Sequence, residues 1–101
     1  MDYISNHASR RMQKRSVPPI VLDWLHDYGS EQYGGRGAVI RYFDRAAKER
    51  LKRVCGHQFI RANKKYLAVY IVEDVGGQSL ITVGYRNRRI PRRLPSGRYS
   101  S

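Results

Sequence analysis

Cysteine is all but absent from this chain. Cys55 stands alone, which excludes an internal disulfide framework and a cysteine-rich zinc site. Acid is scarce as well: eight Asp and Glu face twenty Lys and Arg. These acids are scattered, which argues against a two-metal nuclease, because magnesium sites need converging carboxylates. No metal and no cofactor is expected. No apolar run approaches the ~20 residues that a membrane span requires, so no membrane partner is expected either. The opening residues, Met-Asp-Tyr-Ile-Ser-Asn-His, lack the basic-then-apolar plan of a secretion signal. A reducing cytoplasm is the expected compartment.

What the chain has in excess is positive charge, +12 over 101 residues. Residues 1–15 hold four cations and one acid, and residues 86–101 hold six arginines and no acid. The stretch between these ends is close to balanced. Charge gathered in this way is the footprint of a polyanion binder, so nucleic acid or an acidic protein is the expected partner. The length allows one domain with a single modest core. Hydrophobic residues at 41% and eight tyrosines support a folded globule. Residues 1–90 read as that domain, and residues 91–101, with Pro91, Pro95 and a Ser/Gly ending, as a flexible basic tail.

Periodicity supplies the elements. Ser5 or Asn6 can cap a helix running to Lys14, with Ile4, Ala8 and Met12 on one stripe. His7, Arg10, Arg11 and Lys14 fall on the adjacent stripe by i, i+3, i+4 and i+7 spacing. After Pro18-Pro19, residues Ile20, Val21, Trp24, Leu25 and Tyr28 repeat at helical spacing, and Gly29 supplies a stop. Asp23 and Asp27 on that helix read as a solvated face, and His26 has no evident companions. Gly34-Gly35-Arg36-Gly37 reads as a turn between a short strand at Glu31–Tyr33 and a better one at Ala38–Phe43. Its spacing does not match a phosphate-cradling loop.

Asp44 can cap a third helix, RAAKERLKRVC, with Ala47, Leu51, Val54 and Cys55 facing inward and Gly56 ending it. His57–Lys65 has no clear period and reads as a loop holding at most a helical turn. Tyr66–Glu73 and Leu80–Tyr85 read as a hairpin of central strands. The order α, α, β, β, α, β, β predicts an α+β domain, with helices on one face of a small, mainly antiparallel four-stranded sheet.

With carboxylates sparse, chemistry on a polyanion must use imidazole, guanidinium and phenol. That set suffices for cleaving RNA, whose 2′-hydroxyl is an internal nucleophile. General acid–base help is worth ~10²–10⁴-fold, and oriented cations stabilise charge that develops in the transition state. His7 is the candidate base, because a reference pKa of ~6.5 lies near working pH. Tyr85 is the candidate acid, provided that nearby arginines favour its phenolate. Arg15 and Arg86 are candidates to hold the scissile phosphate in bidentate geometry. Arg10, Lys14, Arg41, Lys64, Lys65, Arg88, Arg89 and Arg92 are candidates for binding the rest of the strand. Each has a plainer reading: a helix-start histidine bonded to a carbonyl, an arginine snorkelling past the core, a tyrosine packed in a strand.

HASRRMQKRSVPPIVLDWL resembles the N-terminal His-x-x-x-Arg-Met-x-x-Arg-x-[Ile/Val] signature of a bacterial family of small domains. LITVGYRNRRIPR resembles its closing strand. That family is grouped with the RelE/ParE-like and barnase/EndoU/colicin-type ribonuclease toxin fold. The resemblance implies a compact α+β toxin domain and a metal-independent ribonuclease acting on RNA, ribosome-bound mRNA or tRNA among the possible forms. It also implies a cognate acidic antitoxin or immunity protein. Position by position it favours His7, Arg11, Arg15, Tyr85 and Arg86; relatives frequently carry a histidine where this chain has Tyr85. Two other readings use the same basic patch: a non-catalytic RNA- or DNA-binding module, and a domain that docks an acidic protein.

Overall fold

In a computed structural model the described residues are 3–86. Arg88, Arg89, Arg92 and the expected tail lie outside them. The elements run α1 (Asn6–Lys14), α2 (Ile20–Tyr28), β1 (Ser30–Gly35), β2 (Ala38–Tyr42), α3 (Arg45–Cys55), α4 (His57–Ala62), a 3₁₀ segment (Lys64–Ala68), β3 (Val69–Asp74) and β4 (Leu80–Tyr85). The four strands form one antiparallel sheet in the order β1-β2-β3-β4. This is the α+β class expected from the hydrophobic pattern, and no helix among the described residues is long and apolar enough to cross a membrane.

Local chemistry sets the helix ends. The Ser5 hydroxyl accepts from the Ala8 amide at 3.1 Å and donates to the Leu80 carbonyl at 3.0 Å. One side chain thereby satisfies a free helix donor and fastens the start of α1 to the start of β4. Asp44 does the same for α3, accepting from the Ala47 amide at 2.8 Å and from the Ser30 hydroxyl at 2.7 Å. Arg36 and Gly37 join β1 to β2 with φ of 54° and 74°, the left-handed pair that lets a two-residue hairpin follow the strand twist. At the other hairpin Asp74 Oδ1 accepts from the amides of Gln78 and Ser79.

Strand alternation divides the side chains between two apolar clusters. Val69 and Ile71 on β3, Leu80 and Val83 on β4, and Phe43 meet Ala8 and Met12 of α1, Val21, Leu22 and Leu25 of α2, and Ala47 and Leu51 of α3. The alternate residues Ala38, Ile40 and Tyr42 on β2 and Val72 on β3 form a separate cluster with Tyr70. Gly84 is required there, because a Cβ would come within 2.9 Å of the Tyr70 ring. The short α4 docks by Phe59, whose ring meets Trp24 edge-on at 5.0 Å.

Four local readings change. Tyr66–Ala68 is a 3₁₀ segment rather than the start of a strand, because pairing begins only at Val69, opposite Tyr85. His57–Ala62 is a helix of its own. Val54 and Cys55 are exposed, since the last turn of α3 carries no buried residue. In α2, Leu22 is buried and Ile20 is half exposed.

Candidate functional site

Helix α1 sets three cations and a histidine within nine residues and, unlike α3 with its Glu49, contains no acid. Ala8 and Met12 are buried, so at 100° per residue the opposite flank turns His7, Arg10 and Lys14 outward, and all three are exposed. Arg11 is half-buried, and its Nε donates to His7 Nε2 at 3.1 Å. That bond makes Nε2 the acceptor and leaves the imidazole held against a guanidinium. No acid occurs anywhere in α1. Arg15, at the C-terminal cap, is exposed. The first helix therefore presents an imidazole and four cations without a carboxylate among them.

Helix α1 packs along the edge strand β4, the adjacency that a patch shared by the two ends would need, and Ile4 bridges Leu80 in parallel register. Arg86, the one arginine of the closing segment among the described residues, nevertheless lies away from the start of α1. Ser5, two residues before His7, is tied to the first residue of β4, whereas Arg86 follows its last. Six strand steps of about 3.3 Å separate those points by about 20 Å.

Arg86 also turns the other way. Its Nη2 donates to the Phe43 carbonyl, and its guanidinium lies 5.6 Å from the centre of the Tyr42 ring, in the cluster on the far side of the sheet. Tyr85 packs against the helix-side core, and its hydroxyl is buried with no hydrogen-bond partner among the described residues. Burial, with Tyr66 adding a smaller effect, pushes that phenol above its ordinary pKa. Burial thus disfavours the phenolate that the acid role of Tyr85 invoked, and the Arg86 guanidinium is engaged at the Phe43 carbonyl and the Tyr42 ring.

Lys64 and Lys65 are exposed in the 3₁₀ segment, with Lys65 Nζ 5.4 Å from the centre of the Tyr66 ring. Tyr66 borders a shallow groove of about 550 Å³ with Ser9, Met12 and Gln13. The lysines thus lie toward the flank of α1 opposite His7.

Arg41 belongs to a different constellation, one that the sequence did not reveal. Glu73 is buried at the helix-side face of β3, with its side chain 2% exposed. Its Oε1 accepts from Arg41 Nε at 2.5 Å. Its Oε2 accepts from the Tyr3 hydroxyl and is 2.6 Å from His26 Nε2. Arg41 reaches on to Glu31 at 2.6 Å. Burial raises the Glu73 pKa, but the hydrogen bonds from Tyr3, His26 and Arg41 outweigh it and leave the carboxyl below its ordinary value. Burial and the bond to Glu73 push the Tyr3 phenol far above its usual range. Arg41 is therefore committed to two carboxylates, not available to a strand of RNA.

This network ties the chain before α1, helix α2 and three strands to one carboxylate. It also borders a cleft of about 610 Å³ lined by Tyr3, Ile4, Pro19, Ile20, Leu22, Asp23, His26, Arg41, Glu73 and Gly77. Among the described residues no three His, Cys, Asp or Glu side chains group as metal ligands. No family model, curated protein or solved structure matches the chain.

Proposed function

We propose that this protein is an RNA-cleaving domain of the toxin type that grips the phosphate backbone along α1 and works without metal. The observation that carries the reading is a helix face on which an imidazole stands among cations with no acid in the helix. Phosphate neutralisation by Arg10, Arg11, Lys14 and Arg15 supplies affinity, and the same groups stabilise the dianionic phosphorane.

When Arg11 turns to a phosphate oxygen, its hydrogen bond to His7 is released and Nε2 is free to accept a proton. His7 then takes the 2′-hydroxyl proton, the 2′-oxygen attacks phosphorus, and the bond to the 5′-oxygen breaks. Solvent protonates that leaving oxygen. The products are a 2′,3′-cyclic phosphate and a 5′-hydroxyl end. An acidic antitoxin or immunity protein would silence the domain by covering α1.

Incubation of end-labelled RNA in EDTA tests this. Wild type is expected to yield cyclic-phosphate ends, while His7→Ala binds within a few-fold but does not cleave. A second reading, binding without cleavage, draws on the burial of the Tyr85 hydroxyl, which removes the candidate acid among the described residues from the solvent-facing side of α1. Intact RNA bound by wild type, with and without divalent metal, would select it. Affinity for an acidic protein combined with none for RNA would select the third reading, a protein-docking domain.

A further inference from the structure

The cleft beside Glu73 and the face of α1 differ in the ligand chemistry they suit, and they adjoin in sequence. Tyr3 and Ile4 line the cleft, and Ser5, the next residue, caps α1. The cleft is not a phosphate site. Its one arginine, Arg41, is matched by Glu73 and Glu31, and Asp23 adds a further negative charge to its rim.

What it offers instead is an apolar wall of Ile4, Pro19, Ile20 and Leu22 facing a few polar groups, in a volume within the usual range for small-ligand pockets. His26 Nε2 is taken by Glu73, and its other ring nitrogen, Nδ1, has no hydrogen-bond partner among the described residues. Because Glu73 fixes the ring from behind, that nitrogen has a defined orientation, as when a carboxylate orients an imidazole elsewhere. Ile20 is 49% exposed although it lies in a helix that packs on the core. Apolar surface beside one or two oriented hydrogen-bonding atoms suits the neutral part of a nucleotide.

We propose that this cleft is a nucleobase subsite: a base from the strand whose phosphates lie on α1 packs against Ile20 and Pro19 and hydrogen-bonds at its edge to His26. The subsite rests on the RNA-binding reading and divides the labour within it. Charge is met on α1, and the uncharged ring is met in the cleft.

Two 2′-deoxy oligonucleotides with equal numbers of phosphates, one bearing bases and one abasic, separate the two claims without cleavage. Wild type is expected to bind the base-bearing strand roughly tenfold more tightly, the scale of one well-packed base. Ile20→Ser alters an exposed side chain and leaves the fold in place, as a melting curve would verify. It and His26→Gln are expected to remove most of that preference without changing the affinity for the abasic strand. Equal binding of both strands by wild type overturns the subsite and leaves the phosphate grip standing. A tenfold preference that survives both substitutions also overturns it, because the base then sits elsewhere. Failure to bind either strand removes the RNA-binding reading, and the subsite with it.

Discussion

The α1 face and the Glu73 network use the same side chains to opposite ends. On α1, Arg10, Lys14 and His7 stand in solvent with no carboxylate in the helix. At Glu73, one arginine, one histidine and one tyrosine converge on a carboxylate drawn almost wholly out of water. Charge left unmatched in solvent costs the fold little and is available to a ligand. Charge matched in the interior holds segments in register and is spent. An arginine therefore counts toward binding only when no acid lies across from it, and by that test Arg41 leaves the interface while Arg10 and Lys14 remain.

The comparison breaks most visibly at Glu73. Removing one member of a buried charge cluster strands the others, so Glu73→Ala is expected to lower unfolding free energy by about 3 kcal/mol, read from chemical denaturation. A loss under about 0.5 kcal/mol would mean that the network fastens nothing.

Acid provides a second measure. The folded-state pKa of Glu73 lies below its ordinary value of 4.5, so its contribution is full above that value and disappears as pH falls through the lowered one. The stability gap between wild type and Glu73→Gln should therefore close on acidification. Asp44, also held below its ordinary value once its hydrogen bonds outweigh burial, contributes acid sensitivity that both proteins share.

Ser5 joins the two regions, since it caps α1 and holds Leu80. Ser5→Ala is expected to cost about 1 kcal/mol in the same denaturation measurement. The smallest effect belongs to the open face: Arg10→Ala, Arg11→Ala and Lys14→Ala together should shift stability by no more than about 0.5 kcal/mol.

These regions also differ in how far the sequence reveals them. Helix α1 was legible because everything that defines it is local: a capping serine, an Ala8–Met12 stripe, and cations three and four residues apart. Asp44 and Gly56 bounded α3 for the same reason. The Glu73 network joins residues 32, 47 and 70 positions apart, and no window along the chain contains it. One signal was nevertheless present. Val69, Ile71 and Glu73 share a parity on β3, so a strand buried at the first two must carry the third inward, and a buried carboxylate needs partners. The expected pairing of His7 with Arg86 failed on a related point. Helix α1 does lie beside β4, a contact that no local period could establish, but the pleat decides which face Arg86 takes, and it takes the Tyr42 side.

The salt dependence of RNA binding tests the central claim most directly. For a single strand, each neutralised phosphate contributes about −0.7 to the slope of log affinity against log salt. If α1 is the grip, the Arg10→Ala, Arg11→Ala, Lys14→Ala variant should bind more weakly, with a slope shallower by about 2 than that of wild type. A variant that keeps both the affinity and the slope of wild type would contradict the account, whatever else the protein is found to bind.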